Sequence, residues 1–144
     1  MTVKIIAPET TYGLRHEILR PHQPLDASVY PADHDADSLH LGAYIGEILV
    51  CVASFYAETS EIFDLPNQYR IRGMATSLQH RGKGAGSSLV QSATQRLRQR
   101  HASLLWCNAR TGAADFYSKL GFIQSGDVFD LPPIGPHKLM YLSL

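Results

Sequence analysis

The chain has 144 residues, 44% hydrophobic and 18% charged, with 13 Lys and Arg against 13 Asp and Glu. That is enough apolar chain for one compact domain with a buried core. A formal net charge of zero argues against nucleic acid or an anionic membrane as a partner, although a local basic patch can still hold a phosphate. No apolar run approaches a membrane span, and residues 1–8 are too short and mixed for a signal peptide, so a soluble, cytoplasmic protein is expected. Cys51 and Cys107 lie inside apolar runs and read as small buried residues in a reducing compartment.

In chain order, residues 3–7 form a short β-branched run and hence a strand. Thr10 and Thr11 offer caps for a helix through Leu19, which Pro21 and Pro24 end. Residues 21–38 are rich in Pro, Asp and His and read as an ordered loop with room for one helical turn. Residues 39–45 and 48–56 are strands joined by a tight turn at Gly46-Glu47, and residues 69–77 are a third after a turn at Pro66-Asn67. From residue 83 to 100 the period becomes helical, with Leu89, Val90, Ala93 and Leu97 on one face. A strand over 103–108, a helix over 111–120 stopped by Gly121, and two closing strands over 122–129 and 138–144 complete the chain. The order β-α-β-β-β-α-β-α-β-β predicts an α/β (α+β) architecture, a mixed central sheet of six or seven strands flanked by helices.

The most informative segment is Arg81-Gly82-Lys83-Gly84-Ala85-Gly86, a glycine turn between a strand and a long helix. Glycines allow close backbone approach and otherwise closed dihedrals. The first N–H groups of a helix have no internal partner and, with the helix dipole, favour an anion. Arg81 and Lys83 add charge, and Ser87 adds a hydroxyl, so a pyrophosphate is the natural occupant. The turn is not a P-loop, because Lys83 is followed by Gly84 rather than Ser or Thr. It fits a dinucleotide fingerprint poorly, because position 87 is Ser and residues 95–110 contain no Asp or Glu.

Arg81, Gly84 and Gly86 do match the pyrophosphate loop of GNAT acetyltransferases, and Asn108, Ala113-Ala114, Phe116-Tyr117 and Gly121-Phe122 match that family's second signature. The chain therefore resembles a GNAT N-acetyltransferase over about residues 39–144, more faintly before that. The looser C-terminal stretch around Gly135-Pro136-His137 is similar to bacterial members.

The resemblance implies acetyl-CoA (CoA) lying between two splayed parallel strands, here 69–77 and 103–108. It implies that the backbone of Met74, Ala75 and Thr76 pairs with the pantetheine arm, that the Met74 N–H stabilises the oxyanion, and that the amides of Arg81, Gly82, Lys83, Gly84, Ala85, Gly86 and Ser87 hold the pyrophosphate. Asn108 would contact the pantetheine or order the adjacent turn, and Tyr117 would act as general acid on the departing thiolate. The reaction implied is direct attack by a primary amine of a small molecule or peptide, through a tetrahedral intermediate. A transferase reading competes with an acyl-CoA sensor that lacks catalysis, and an acyl-Cys107 route is a lesser alternative.

Many relatives carry a carboxylate on the strand before the loop. Here that place falls to Arg70, which cannot accept a proton. Glu58, His40 and Asp37 are the remaining candidate bases, each also readable as a surface residue, while Arg70 and Arg72 share a strand face and could hold an acceptor carboxylate. Asp33, His34, Asp35, Asp37 and His40 lack the spacing of a metal motif, so no metal is expected and a solvated loop is. Neither nucleic acid nor membrane is an expected partner, and exposed closing strands leave room for a homodimer.

Overall fold

The β-branched and aromatic runs pair as seven strands in a computed structural model that describes residues 1–144. They are β1 (Thr2–Ile5), β2 (Leu39–Ile45), β3 (Ile48–Ala57), β4 (Gln68–Thr76), β5 (Leu104–Arg110), β6 (Ile123–Leu131) and β7 (Gly135–Ser143). Their order across the sheet is β1-β2-β3-β4-β5-β7-β6. Neighbours run antiparallel except β4 and β5, which are parallel and joined by the crossover helix α2 (Ala85–Gln99). The expected mixed sheet is therefore present. No helix is long and apolar enough to cross a membrane.

The helical period of residues 83–100 becomes packing. Leu89, Val90, Ala93 and Leu97 of α2 are buried against Leu41, Phe55 and Leu105 of the sheet. Full burial of each such Leu or Val contributes roughly 1.5–3 kcal/mol.

The N-terminal strand is shorter than expected because Pro8 already opens helix α1 (Pro8–Leu14). Neither Thr10 nor Thr11 caps that helix. Ala7 occupies the cap position and Pro8 follows, since proline's fixed φ and missing N–H suit a first helical turn. The Thr11 hydroxyl instead donates to the Pro8 carbonyl at 2.6 Å. Beyond Leu14 the helix widens over Arg15–Leu19, with the Arg20 N–H reaching back to the Arg15 carbonyl at 3.2 Å. Widened turns of this kind often mark functional positions. Here one aims Arg15 at the sheet and leaves Leu19 and Arg20 on a cleft wall.

The expected solvated loop contains a buried polar core instead. The side chains of Arg15 and Asp33 are both fully shielded from solvent, and their guanidinium and carboxylate meet through two hydrogen bonds of 2.8 and 3.1 Å. Arg15 also donates to Ser54 Oγ, Tyr56 Oη and the Ser28 carbonyl. Asp33 accepts two further bonds, from the Tyr56 hydroxyl at 2.6 Å and the Tyr30 N–H at 2.9 Å. Burial pushes the Asp33 carboxyl up, but these donors together hold it below the ordinary carboxylate range.

His40 is buried as well. Its Nε2 lies 2.8 Å from the Asp33 carbonyl and must donate to it, so Nδ1 accepts from the Ser54 hydroxyl at 2.6 Å. Burial lowers its pKa and keeps it neutral.

Truncating one partner leaves the other charge buried and unpaired, which costs about 3–5 kcal/mol. Asp33→Ala is therefore expected to lower the unfolding free energy by about that amount, read as a lower urea midpoint with an unchanged slope. The double variant Arg15→Met, Asp33→Leu should recover only part of it, because Ser54, Tyr56 and the Tyr30 N–H lose buried partners.

Candidate active site

β4 and β5 pair only at Gln68↔Leu104, Tyr69↔Leu105 and Arg70↔Trp106. Beyond that point β4 continues against β3, as far as Thr76 opposite Cys51, while β5 continues against β7, as far as Arg110 opposite His137. The parallel pair therefore opens like a V. A bulge in β4 adds to the divergence, because Ser54 faces Arg72 while Val52 faces Ala75. The extra residue is accommodated at Gly73, whose φ of +68° and close neighbours, Arg15 Nε and Tyr30 Cε2 at 3.0 and 3.2 Å from a notional Cβ, leave no room for a side chain.

Two adjoining clefts occupy the V. One, of about 620 Å³, runs from Met74 and Thr76 to Arg81, Gly82, Gly84 and Ser87. The other, of about 500 Å³, lies between Tyr30, Arg72, Asn108, Tyr117 and His137. Leu19, Met74, Ala113 and Phe116 line both, so the passage between them falls at the bulge.

The glycine turn opens α2 as expected, with Gly84 at the cap position and φ of +81°. Gly82 is also left-handed, at +76°. A Cβ on either would touch nothing, so glycine is required there by dihedral alone and the backbone stays open to a ligand. Gly86 has a different role, because a Cβ there would lie 3.1 Å from Phe116 Cζ. That approach locks the start of α2 to helix α3 (Ala114–Lys119).

The candidate residues converge unequally. Met74, Thr76, Arg81, Gly82, Gly84, Ala85, Gly86 and Ser87 line the first cleft, and Asn108 and Tyr117 line the second. Lys83 is exposed outside the lining, and the Ala75 side chain packs away from it against Leu14 and Val52. Tyr117 is only 7% exposed and packs edge-on against Phe116 and tilted against Phe122. Burial, reinforced by Cys107 and Cys51, pushes its hydroxyl well above the ordinary phenol value, so it stays protonated.

None of the three candidate bases lines either cleft. His40 is locked in the buried network, contrary to its surface reading. Glu58 pairs with Arg70 at 2.9 Å. Asp37 is exposed, and its backbone carbonyl accepts from the Tyr69 hydroxyl and Arg100. The residue that does line the second cleft is His137 on β7. Its Nδ1 donates to the Gly135 carbonyl at 2.7 Å, which leaves Nε2 with a free lone pair. Its only sequence signal was a place in the Gly135-Pro136-His137 stretch.

A parallel pair opened around a cleft, with a glycine-capped helix at one end and a buried tyrosine at the other, defines an acyltransferase. Residues 6–122 match the acetyltransferase (GNAT) family model, and the chain belongs to that family. The uncharacterized N-acetyltransferase YitI of Bacillus subtilis is 40% identical over 144 residues, covering 100% of this chain and 97% of that protein. Among solved structures, Escherichia coli ElaA superposes with a TM-score of 0.76 at 18% identity over 97% of each chain. An aminoglycoside 6'-N-acetyltransferase complexed with coenzyme A superposes at 0.73 and 14% identity, over 99% of this chain and 97% of that one. At those identities the structural likeness speaks for the fold.

Cys107 is 3% exposed, and burial pushes its thiol up to about 12, while burial also raises Cys51. Both are free. Neither thiol forms a thiolate readily, which disfavours an acyl-Cys route. Both cysteines should resist iodoacetamide at pH 8 in the folded protein and be alkylated once it is unfolded in guanidinium, as read by mass spectrometry.

Proposed function

We propose that this chain, acting as a single domain, is an N-acetyltransferase that moves an acetyl group from acetyl-CoA to a primary amine. The observation that carries the reading is the parting of β4 from β5 after three residue pairs, around clefts that end on the glycine turn. The open amides of residues 81–87 suit a pyrophosphate, with Arg81 supplying charge. The exposed edge of β4 over Met74, Ala75 and Thr76 suits an amide-bearing arm laid beside it as an added strand. Asn108, which lines the second cleft, suits contact with the same arm or ordering of the adjacent turn. Two free, buried thiols fit a reducing, cytoplasmic setting.

In this reading the amine nitrogen attacks the thioester carbon directly, and the Met74 N–H receives the developing oxyanion. The carbon–sulfur bond breaks, and the Tyr117 hydroxyl donates to the departing sulfur. Complete transfer to a thiolate of ordinary pKa, about 8.5, would run uphill from so basic a phenol. Much of the benefit is then a charge-assisted hydrogen bond. His137 Nε2 takes the proton released by the amine, directly or through water.

The shortage of carboxylates along both clefts gives a second reading, an acyl-CoA-binding module without turnover. Thiol release from acetyl-CoA across an amine panel separates the two, alongside thermal stabilisation by acetyl-CoA, CoA, ATP and NAD. Stabilisation by the two CoA species with turnover supports the transferase. Stabilisation without turnover favours the module, and indifference to CoA removes both.

Tyr117→Phe is expected to lower kcat on the order of a hundredfold with stabilisation by CoA retained. His137→Gln should also depress kcat while leaving the KM for acetyl-CoA unchanged, in steady-state kinetics.

A further inference from the structure

The walls of the second cleft carry Arg20, Arg70, Arg72 and Arg110 and no carboxylate at all. Overall basicity does not explain this, because cationic and acidic residues balance across the chain. Only Arg70 has a counter-charge, the partly exposed Glu58. The one buried carboxylate nearby, Asp33, is already satisfied by Arg15, Tyr56 and the Tyr30 N–H and has nothing to offer the cleft.

Three of these guanidiniums, those of Arg20, Arg70 and Arg72, are also held against aromatic rings. Tyr30 is 6% exposed, and the Arg15 guanidinium lies 4.1 Å from its ring centroid. Arg72 lies 4.6 Å from the same ring and Arg20 5.7 Å. Arg70 lies 4.9 Å from the Trp106 ring. Stacking fixes planar groups at little further entropic cost, leaving their edges for anionic oxygens. Arg20, Arg72 and Arg110, which have no counter-charge, repel each other around one cleft, and a bound anion would relieve that repulsion.

We infer that the acceptor is an amine that also bears an anionic oxygen group, a carboxylate or phosphate, gripped by Arg72 and Arg20 while the amine faces Met74. Polyamines and other polycationic amines are disfavoured, because the same cleft repels them. The inference rests on the acetyl-transfer reading for its amine and on the arginine cluster alone for its anion.

The test uses the whole chain with acetyl-CoA and compares α-amino acids, their carboxamides, the decarboxylated amines, and 2-aminoethyl phosphate. One or two charged hydrogen bonds predict that kcat/KM for the acids or for the phosphate exceeds that for the neutral amides by about ten- to a hundredfold. Preference within the anionic pair identifies which source of anion the site takes. Arg72→Gln and Arg20→Gln should collapse the ratio while stabilisation by acetyl-CoA persists, showing that the cluster is not a CoA phosphate site. Preference for the amides or the decarboxylated amines, or a ratio unmoved in both variants, overturns the inference.

If no amine is acetylated, the transferase reading fails separately. The anion site is then judged by thermal stabilisation of the CoA complex with glutarate or inorganic phosphate. Stabilisation lost in Arg72→Gln supports it, and no stabilisation refutes it.

Discussion

The separation of two parallel strands governs everything else in this molecule. In a regular parallel pair the hydrogen bonds are evenly spaced along the two strands. Here β4 and β5 stop after Arg70 and Trp106, and the backbone groups that would have paired further on border a cleft instead. The bulge at Gly73 is what makes the divergence tolerable. It lets β4 stay on β3 while turning Met74 toward the gap, and its missing side chain leaves space for Arg15 and Tyr30. The strand edge, the glycine-capped helix and the arginine-lined wall all border that one departure from regular pairing.

Both faces of the sheet hold the opening in shape, by different means. On one side, apolar packing of α2 fixes the direction in which the glycine turn faces. Contact between Gly86 and Phe116 ties that helix to α3, which carries Tyr117. On the other side, the Arg15–Asp33 pair anchors the loop that supplies Tyr30, and Tyr30 in turn braces Arg72 and Arg20. A buried ion pair is seldom the most stable filling for a core. Its value here is positional, since a hydrophobic replacement would pack the same volume without orienting the tyrosine.

Much of the fold was legible because its signals are local. The helical period of residues 89–97, the glycine run and the Phe116-Tyr117 pair each lie within a few residues of one another, and each appeared where the sequence places it. The buried network was not legible. Arg15, Asp33, Ser54 and Tyr56 are far apart in the chain, and a loop rich in Asp and His reads as solvated until its partners are known. His40 misled for a related reason. β2 is covered on both faces through Leu39–Ala43, so the alternation that marks an inward or outward residue is absent there. Likewise His137 becomes conspicuous only when β7 is laid beside β5, and the four arginines become a cluster only when the widened turn after α1 meets β4 and β5.

The central claim is that one ligand spans the open edge of β4 and the turn before α2. Amide hydrogen exchange with and without acetyl-CoA measures this directly. Added protection confined to two segments, 74–76 and 82–87, with β1 and β2 unchanged, is the predicted result. Protection of the turn alone, or of neither segment under saturating acetyl-CoA, would contradict it.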